Sequence, residues 1–112
     1  EAQMDTITAI SGSGPAYVFY FIEALQHAAQ NLGIDAPAAR QLAIETFTGA
    51  ARLAEQSEED VAVLRQRVTS KGGTTAAALA SFDADNIAAA ILRGVQAAAE
   101  RSRILGEEMG KD

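Results

Sequence analysis

The spacing of apolar residues along the chain predicts five α-helices. Val18, Ile22, Leu25, Ala29 and Leu32 recur at intervals of four and three residues, which places them on one face of a helix. The same reasoning gives helices over about 15–32, 35–54, 57–68, 74–82 and 86–108. Aromatic residues are only 5% of the chain, so alternating strand patterns have little to build on. We therefore predict an all-α fold.

Residues with helix-starting or helix-stopping side chains lie at the ends of these segments. Gly33 suits the left-handed position that ends the first helix, and Asp35 suits the N-cap of the second. The run from Ser57 to Asp60 has the spacing of a capping box and is expected to open the third helix. Asp83 or Asp85 is expected to cap the fifth and longest helix.

The first predicted helix carries apolar side chains on more than one face. Tyr17, Tyr20 and Phe21 lie beside the stripe that begins at Val18, and a helix of this kind is usually central or shared between subunits. Large aliphatic and aromatic side chains are also scarce, because Leu, Ile, Val and Phe together are 25 of 112 residues. We expect the chain to bury its apolar surface in a homodimer.

Charge and composition exclude several classes of function. A net charge of −6 with no basic stripe argues against a nucleic-acid-binding protein. No apolar run approaches the roughly 20 residues of a membrane span, and no secretory leader opens the chain. The chain has no cysteine, and its single histidine, His27, has no partner at a metal-ligand spacing, so no metal site is predicted. A cytoplasmic protein is expected.

The stretch from Thr69 to Thr75 is the strongest candidate for a binding site. Gly72 and Gly73 would let a ligand approach the main chain, and they lead directly into a predicted helix. The unpaired N–H groups of a helix start, flanking hydroxyls and the charge of Lys71 together suit a carboxylate or phosphate. An ordinary glycine-rich loop with a threonine cap explains the same residues equally well.

The run Gly12-Ser13-Gly14 is not a dinucleotide-binding fingerprint. That fingerprint needs a third glycine after two further residues and a preceding strand, and neither is present. No Walker-type loop occurs either. The chain is therefore expected to have no nucleotide-binding fold of its own.

Four segments taken together resemble the C-terminal domain of the pyrroline-5-carboxylate reductases: Ile7–Tyr17, Thr48–Ala51, Val68–Thr75 and Arg101–Arg103. The resemblance implies a single helical domain over residues 1–112, of the 6-phosphogluconate dehydrogenase C-terminal-like fold, that forms an interleaved homodimer or a larger oligomer of such dimers. It also implies an N-terminal Rossmann domain that binds most of the NADPH or NADH. The family's reaction is hydride transfer to the imine carbon of 1-pyrroline-5-carboxylate, which gives L-proline. Without the N-terminal domain, the 112-residue chain is expected to be inactive.

The same resemblance implies roles for individual residues. Those implied to hold the substrate are Ser70, Gly72, Gly73, Thr74, Thr75 and Glu58, and Ser13 and Arg67 are implied to approach the cofactor. Thr75 is the implied catalytic residue, since its hydroxyl would lie near the ring nitrogen. Lys71 departs from the family pattern, which usually has proline there, and Arg67 departs from it in residue type.

Two alternative functions stay open at the level of the sequence. The chain could be a helical dimerisation module without catalytic function. It could also be the helical domain of a related dehydrogenase that acts on another small carboxylate.

Overall fold

The computed structural model describes residues 2–110, and they form helices joined by short turns. The helices are α1 (Ala2–Ile7), which continues into a π-helical segment (Thr8–Gly12), then α2 (Gly14–Asn31), α3 (Ala36–Gln56), α4 (Val61–Arg67), α5 (Thr74–Ala84) and α6 (Ile87–Gly110). The described residues contain no strand. The all-α fold is confirmed, and each of the five predicted helices corresponds to one of α2 to α6.

Contacts divide the chain into two compact units. Unit 1 contains residues 2–17 together with residues 80–110, and unit 2 is Val18–Leu79. Each unit is described by itself below. That residues 1–112 form a single domain stays a prediction.

Local capping residues explain where α2 ends and α3 begins. Gly33 has a φ of 105°, and beyond it the N–H of Ile34 donates to the carbonyl of Ala29 at 3.0 Å. The carboxylate of Asp35 accepts a hydrogen bond from the N–H of Ala38 at 2.9 Å. The predicted ends of both helices are confirmed here, because each depends only on residues close in sequence.

The predicted capping box before α4 is wrong. Asp60, rather than Ser57, is the N-cap, and its carboxylate accepts from the N–H of Ala62 at 2.9 Å. The Ser57 hydroxyl accepts from the N–H of Glu59 at 3.1 Å and so stabilises the linker instead. Asp60 prevails because it directly precedes Val61, the first residue of α4.

The predicted cap of α6 is also wrong. Asp83 lies inside α5, which continues to Ala84, and Asp85 lies one residue too early. Asn86 directly precedes α6 with a φ of 55°, and its carbonyl accepts from the N–H of Ala90 at 3.0 Å. Asparagine is one of the few residues other than glycine that adopts this left-handed conformation readily.

The helical segment over residues 2–12 has no counterpart among the predicted helices. In unit 1 it packs against α6, and the Ser102 hydroxyl donates to the carboxylate of Asp5 at 2.8 Å. The Tyr17 hydroxyl donates to the carbonyl of Ala9 at 2.6 Å, and Ala9 is fully buried. These contacts join residues distant in sequence, so local propensity gives no sign of them.

The C-terminal part of α6 carries an exposed ion-pair network. Arg103 contacts the carboxylates of Glu100 at 2.5 Å and Glu107 at 2.8 Å, one helical turn to either side. The hydrogen bond from Arg103 lowers the pKa of Glu100, and the two carboxylates raise the pKa of Arg103. Exposed pairs of this spacing stabilise a helix only weakly, because solvent screens the charges.

Apolar surface stays largely accessible in the single chain. The buried apolar residues are small ones, Ala9, Ala39 and Ala43, whereas Phe19 is 68% and Tyr20 is 76% exposed. The accessible surface is 8817 Å², while a compact monomer of this size would expose about 5,900 Å². The chain therefore buries much less surface than a self-sufficient domain.

Within residues 2–110, no single helix is long and apolar enough to cross a membrane, although the bent pair α5–α6 meets the same limits of length and composition when taken together.

Candidate functional site

The residues from Ser70 to Thr75, here called the glycine turn, comprise the end of the connection between α4 and α5 and the first two residues of α5. Gly72 has a φ of 75°, a left-handed conformation that side chains other than glycine adopt with strain. The N–H of Gly73 donates to the carbonyl of Ser70 at 3.0 Å and closes the turn. A Cβ atom on Gly73 would lie 2.6 Å from the Ser70 hydroxyl oxygen and 3.2 Å from its carbonyl oxygen. The turn therefore requires glycine at both positions, at Gly72 for its backbone angle and at Gly73 for lack of space.

The first turn of α5 presents backbone donors beside the glycine turn. The first hydrogen bond of this helix runs from the N–H of Ala77 to the carbonyl of Gly73 at 3.1 Å. The N–H groups of Thr74, Thr75 and Ala76 precede it, and no side-chain acceptor in residues 2–110 bonds to them. Since the helix dipole is positive at this end, the arrangement suits an anion.

Side chains around these donors differ in exposure. Ser70, Lys71 and Thr74 are exposed, and Thr75 is half-buried. The start of α5 is therefore accessible from solvent, and Thr75 is less exposed than Thr74 beside it. The structure brings together five of the predicted substrate residues in one turn: Ser70, Gly72, Gly73, Thr74 and Thr75.

Arg67 and Glu58 both belong to unit 2, near opposite ends of α4. Arg67 is the last residue of α4, and its guanidinium forms an ion pair with Glu59. Glu58 is exposed in the linker before the helix. The pairing of Glu59 with Arg67 is not evident from the sequence, because a separation of eight residues is not one of the usual pair spacings on a helix.

Ser13 lies in unit 1, at the end of the π-helical segment. Its N–H donates to the carbonyl of Thr8 at 2.9 Å. A cavity of about 450 Å³ adjoins it, lined by Thr8, Ser13, Ala98, Arg101, Ser102, Leu105, Gly106 and Met109. The lining is mostly apolar, and its polar groups are hydroxyls and the guanidinium of Arg101. The remaining predicted site residues belong to unit 2.

Metal-ligating side chains do not cluster in this part of the molecule. Among residues 2–110 there is no group of three His, Asp or Glu side chains that could hold a metal ion. The chemistry described so far is that of backbone donors, hydroxyls and single charges.

The fold and the glycine turn define an all-α protein that presents backbone N–H groups at the start of α5. The family model described as pyrroline-5-carboxylate reductase dimerisation matches residues 1–105. The chain belongs to this family, which confirms the resemblance found in the sequence.

Relatives and solved structures carry the same family name. Pyrroline-5-carboxylate reductase of Pseudomonas aeruginosa is 45% identical over 111 residues, which are 99% of this chain and 41% of the relative. Pyrroline-5-carboxylate reductase 2 of Bacillus subtilis is 40% identical over 108 residues, which are 96% of this chain and 39% of the relative. The chain thus spans about two-fifths of the length of these relatives.

The fold is likewise that of reductase structures. A Plasmodium falciparum pyrroline carboxylate reductase with NADP bound has a TM-score of 0.91 at 36% identity, with 95% of this chain and 43% of the other covered. A pyrroline-5-carboxylate reductase from Coxiella burnetii has a TM-score of 0.90 at 44% identity, with 94% of this chain and 39% of the other covered.

Proposed function

We propose that this chain is the dimerising and substrate-binding part of an NAD(P)H-dependent reductase that converts 1-pyrroline-5-carboxylate to L-proline. The glycine turn carries the proposal, because it offers three backbone N–H groups to a carboxylate in a chain that belongs to the reductase family.

The substrate carboxylate binds at the start of α5. Its oxygens accept from the N–H groups of the first turn and from the Ser70 hydroxyl, and Gly72 and Gly73 keep side chains out of the way. Hydrogen bonds of this kind to a charged group are stronger than neutral ones. This contact fixes the substrate at one end and leaves its ring nitrogen to be oriented.

Thr75 orients the ring nitrogen of the substrate. In the proposed complex its half-buried hydroxyl lies near that nitrogen and contacts the imine and then the product amine. Glu58 is exposed on the same unit, and we place it at the edge of the substrate site. Most of the acceleration comes from holding the two reactants in position.

The cofactor supplies a hydride to the imine carbon when it is bound. Ser13 fits its polar end, because it adjoins a cavity with further hydroxyls and the guanidinium of Arg101. Arg67 fits it only after its ion pair with Glu59 opens. We propose that an N-terminal Rossmann domain of the whole protein holds most of NADPH or NADH.

If the cofactor is held mostly by the N-terminal domain and the substrate by this chain, the 112-residue chain alone should be inactive. The purified chain should neither oxidise NADPH with pyrroline-5-carboxylate nor bind NADPH tightly, whereas the full-length protein should do both. Absorbance at 340 nm measures turnover, and fluorescence titration measures cofactor binding. Turnover by the chain alone would show that the division is wrong, and an inactive full-length protein would contradict the proposed reaction.

The accessible apolar surface supports an intertwined homodimer as the working form. The chain exposes roughly half as much surface again as a compact monomer of its size. Much of the exposed apolar surface is on α2, where Phe19 and Tyr20 are accessible. A helix of this kind is covered when a second copy packs against it, and such dimers can assemble further.

Sedimentation velocity should find the chain as a dimer at micromolar concentration. We expect an interface beyond the ~2,000 Å² of ordinary complexes, because the exposed apolar surface of the chain is extensive. Phe19→Asp should shift the equilibrium toward monomer, since it puts a charge on this surface. Gln30→Asp, at an exposed polar position of the same helix, is the matched control. A folded wild-type monomer would contradict the dimer.

A further inference from the structure

Thr69 ties the glycine turn to the end of α4 by two hydrogen bonds. Its hydroxyl donates to the carbonyl of Arg65 with an Oγ1···O distance of 2.6 Å. Its backbone N–H donates to the carbonyl of Gln66 at 3.1 Å. Thr69 is half-buried and directly precedes Ser70, where the turn begins. Thr69 therefore helps to set the point at which the chain leaves α4, together with the C-cap residue Val68.

From the way the turn is closed we infer that Thr69 is a positioning residue for the substrate carboxylate, an inference that rests on the proposed function. The carbonyl of Ser70 holds the N–H of Gly73, and the Ser70 hydroxyl lies where a side chain on Gly73 would be. Any displacement of Ser70 therefore moves the N–H groups that open α5. Thr69 acts through Ser70 and need not touch the substrate.

The short length of α4 makes this contact important. The helix has seven residues, about two turns, and helices of that length are marginal by themselves. Its last carbonyl groups have no partner within the helix. The Arg65 carbonyl also accepts the N–H of Val68, but at a longer 3.3 Å, so the Thr69 hydroxyl makes the shorter bond there.

Thr46 offers a matched control in the same unit. Its hydroxyl donates to the carbonyl of Leu42 at 2.7 Å, which is the same bond over the same separation of four residues. Thr46, however, lies in the middle of α3, where the helix backbone continues on both sides. Loss of the Thr46 hydroxyl removes one hydrogen bond and leaves no neighbouring turn without support.

The test is steady-state kinetics of the full-length protein with Thr69→Val, Thr69→Ser and Thr46→Val. Valine keeps the branched shape of threonine and removes only the hydroxyl, so the KM for pyrroline-5-carboxylate should rise about fivefold, the value of one neutral hydrogen bond. The kcat and the KM for NADPH should stay within about twofold of wild type, which is a smaller change than the loss of one hydrogen bond would cause. Thr69→Ser and Thr46→Val should behave as wild type.

Different outcomes overturn different statements. An unchanged KM in Thr69→Val, an equal rise in Thr46→Val, or no rescue by serine would show that Thr69 does not position the substrate. Loss of the wild-type oligomer in Thr69→Val, measured by size-exclusion chromatography, would assign it a general structural role and would also overturn the inference. A wild-type protein without reductase turnover would overturn the proposed function itself, and with it the role of Thr69.

Discussion

Gly73→Val should raise the KM for pyrroline-5-carboxylate by about two orders of magnitude in the full-length protein, with a smaller effect on kcat. A Cβ atom at this position would lie 2.6 Å from the Ser70 hydroxyl oxygen and 3.2 Å from the Ser70 carbonyl oxygen, so the turn must open. Opening it breaks the 3.0 Å hydrogen bond from Gly73 to Ser70 and displaces the donors of α5. Loss of two hydrogen bonds to a carboxylate, at about 1.5 kcal/mol each, corresponds to roughly a hundredfold weaker binding.

The control for this variant is Gly49→Val. Gly49 lies in α3 of the same unit, and nothing lies within 4 Å of the place where its Cβ would be. The substitution is chemically identical, so a general effect of adding a branched side chain would appear in both proteins. Equal KM values for Gly73→Val and wild type would mean that the turn does not hold the carboxylate.

Thr75→Ala should lower kcat at least about tenfold while the oligomer stays intact. The hydroxyl is proposed to contact the ring nitrogen, whose bonding changes as the hydride arrives, so its loss removes stabilisation of the transition state. The figure corresponds to one hydrogen bond to a group that carries charge, about 1.5 kcal/mol. Thr75→Ser keeps the hydroxyl and should retain most of the rate.

Kinetic constants distinguish a role of Thr75 in the chemical step from a role in substrate binding alone. Steady-state and single-turnover rates on wild type, Thr75→Ala and Thr75→Ser show whether the chemical step is slowed. A Thr75→Ala variant with the wild-type kcat and only a raised KM would make this residue part of the carboxylate site. That result would leave the reaction without a group at the ring nitrogen.

The parts of the fold that could be predicted are those fixed by neighbouring residues. Gly33 ends one helix and Asp35 begins the next, through hydrogen bonds that span three to five residues. Both helix ends could therefore be predicted from the sequence. The glycine turn could be predicted for the same reason, because two glycines before a helix permit a tight local turn of the backbone.

The features that escaped prediction depend on contacts between distant residues. The helix over residues 2–12 is stabilised by α6, through bonds such as Ser102 to Asp5, which are 97 positions apart. The ion pair between Glu59 and Arg67 spans the whole of α4. The N-cap of α4 was predicted wrongly for a different, local reason. Ser57 and Asp60 both have side chains that can cap a helix, and Asp60 is the cap because it is adjacent to the first helical residue.

A crystal structure of the full-length protein with L-proline bound is the most direct test of the proposed substrate site. Proline carries both the carboxylate and the ring nitrogen that the glycine turn is proposed to hold. We expect the carboxylate oxygens within about 3 Å of the N–H groups that open α5, and the ring nitrogen within the same distance of the Thr75 hydroxyl. Proline bound elsewhere, with the glycine turn making no contact to it, would show that this turn is not the substrate site.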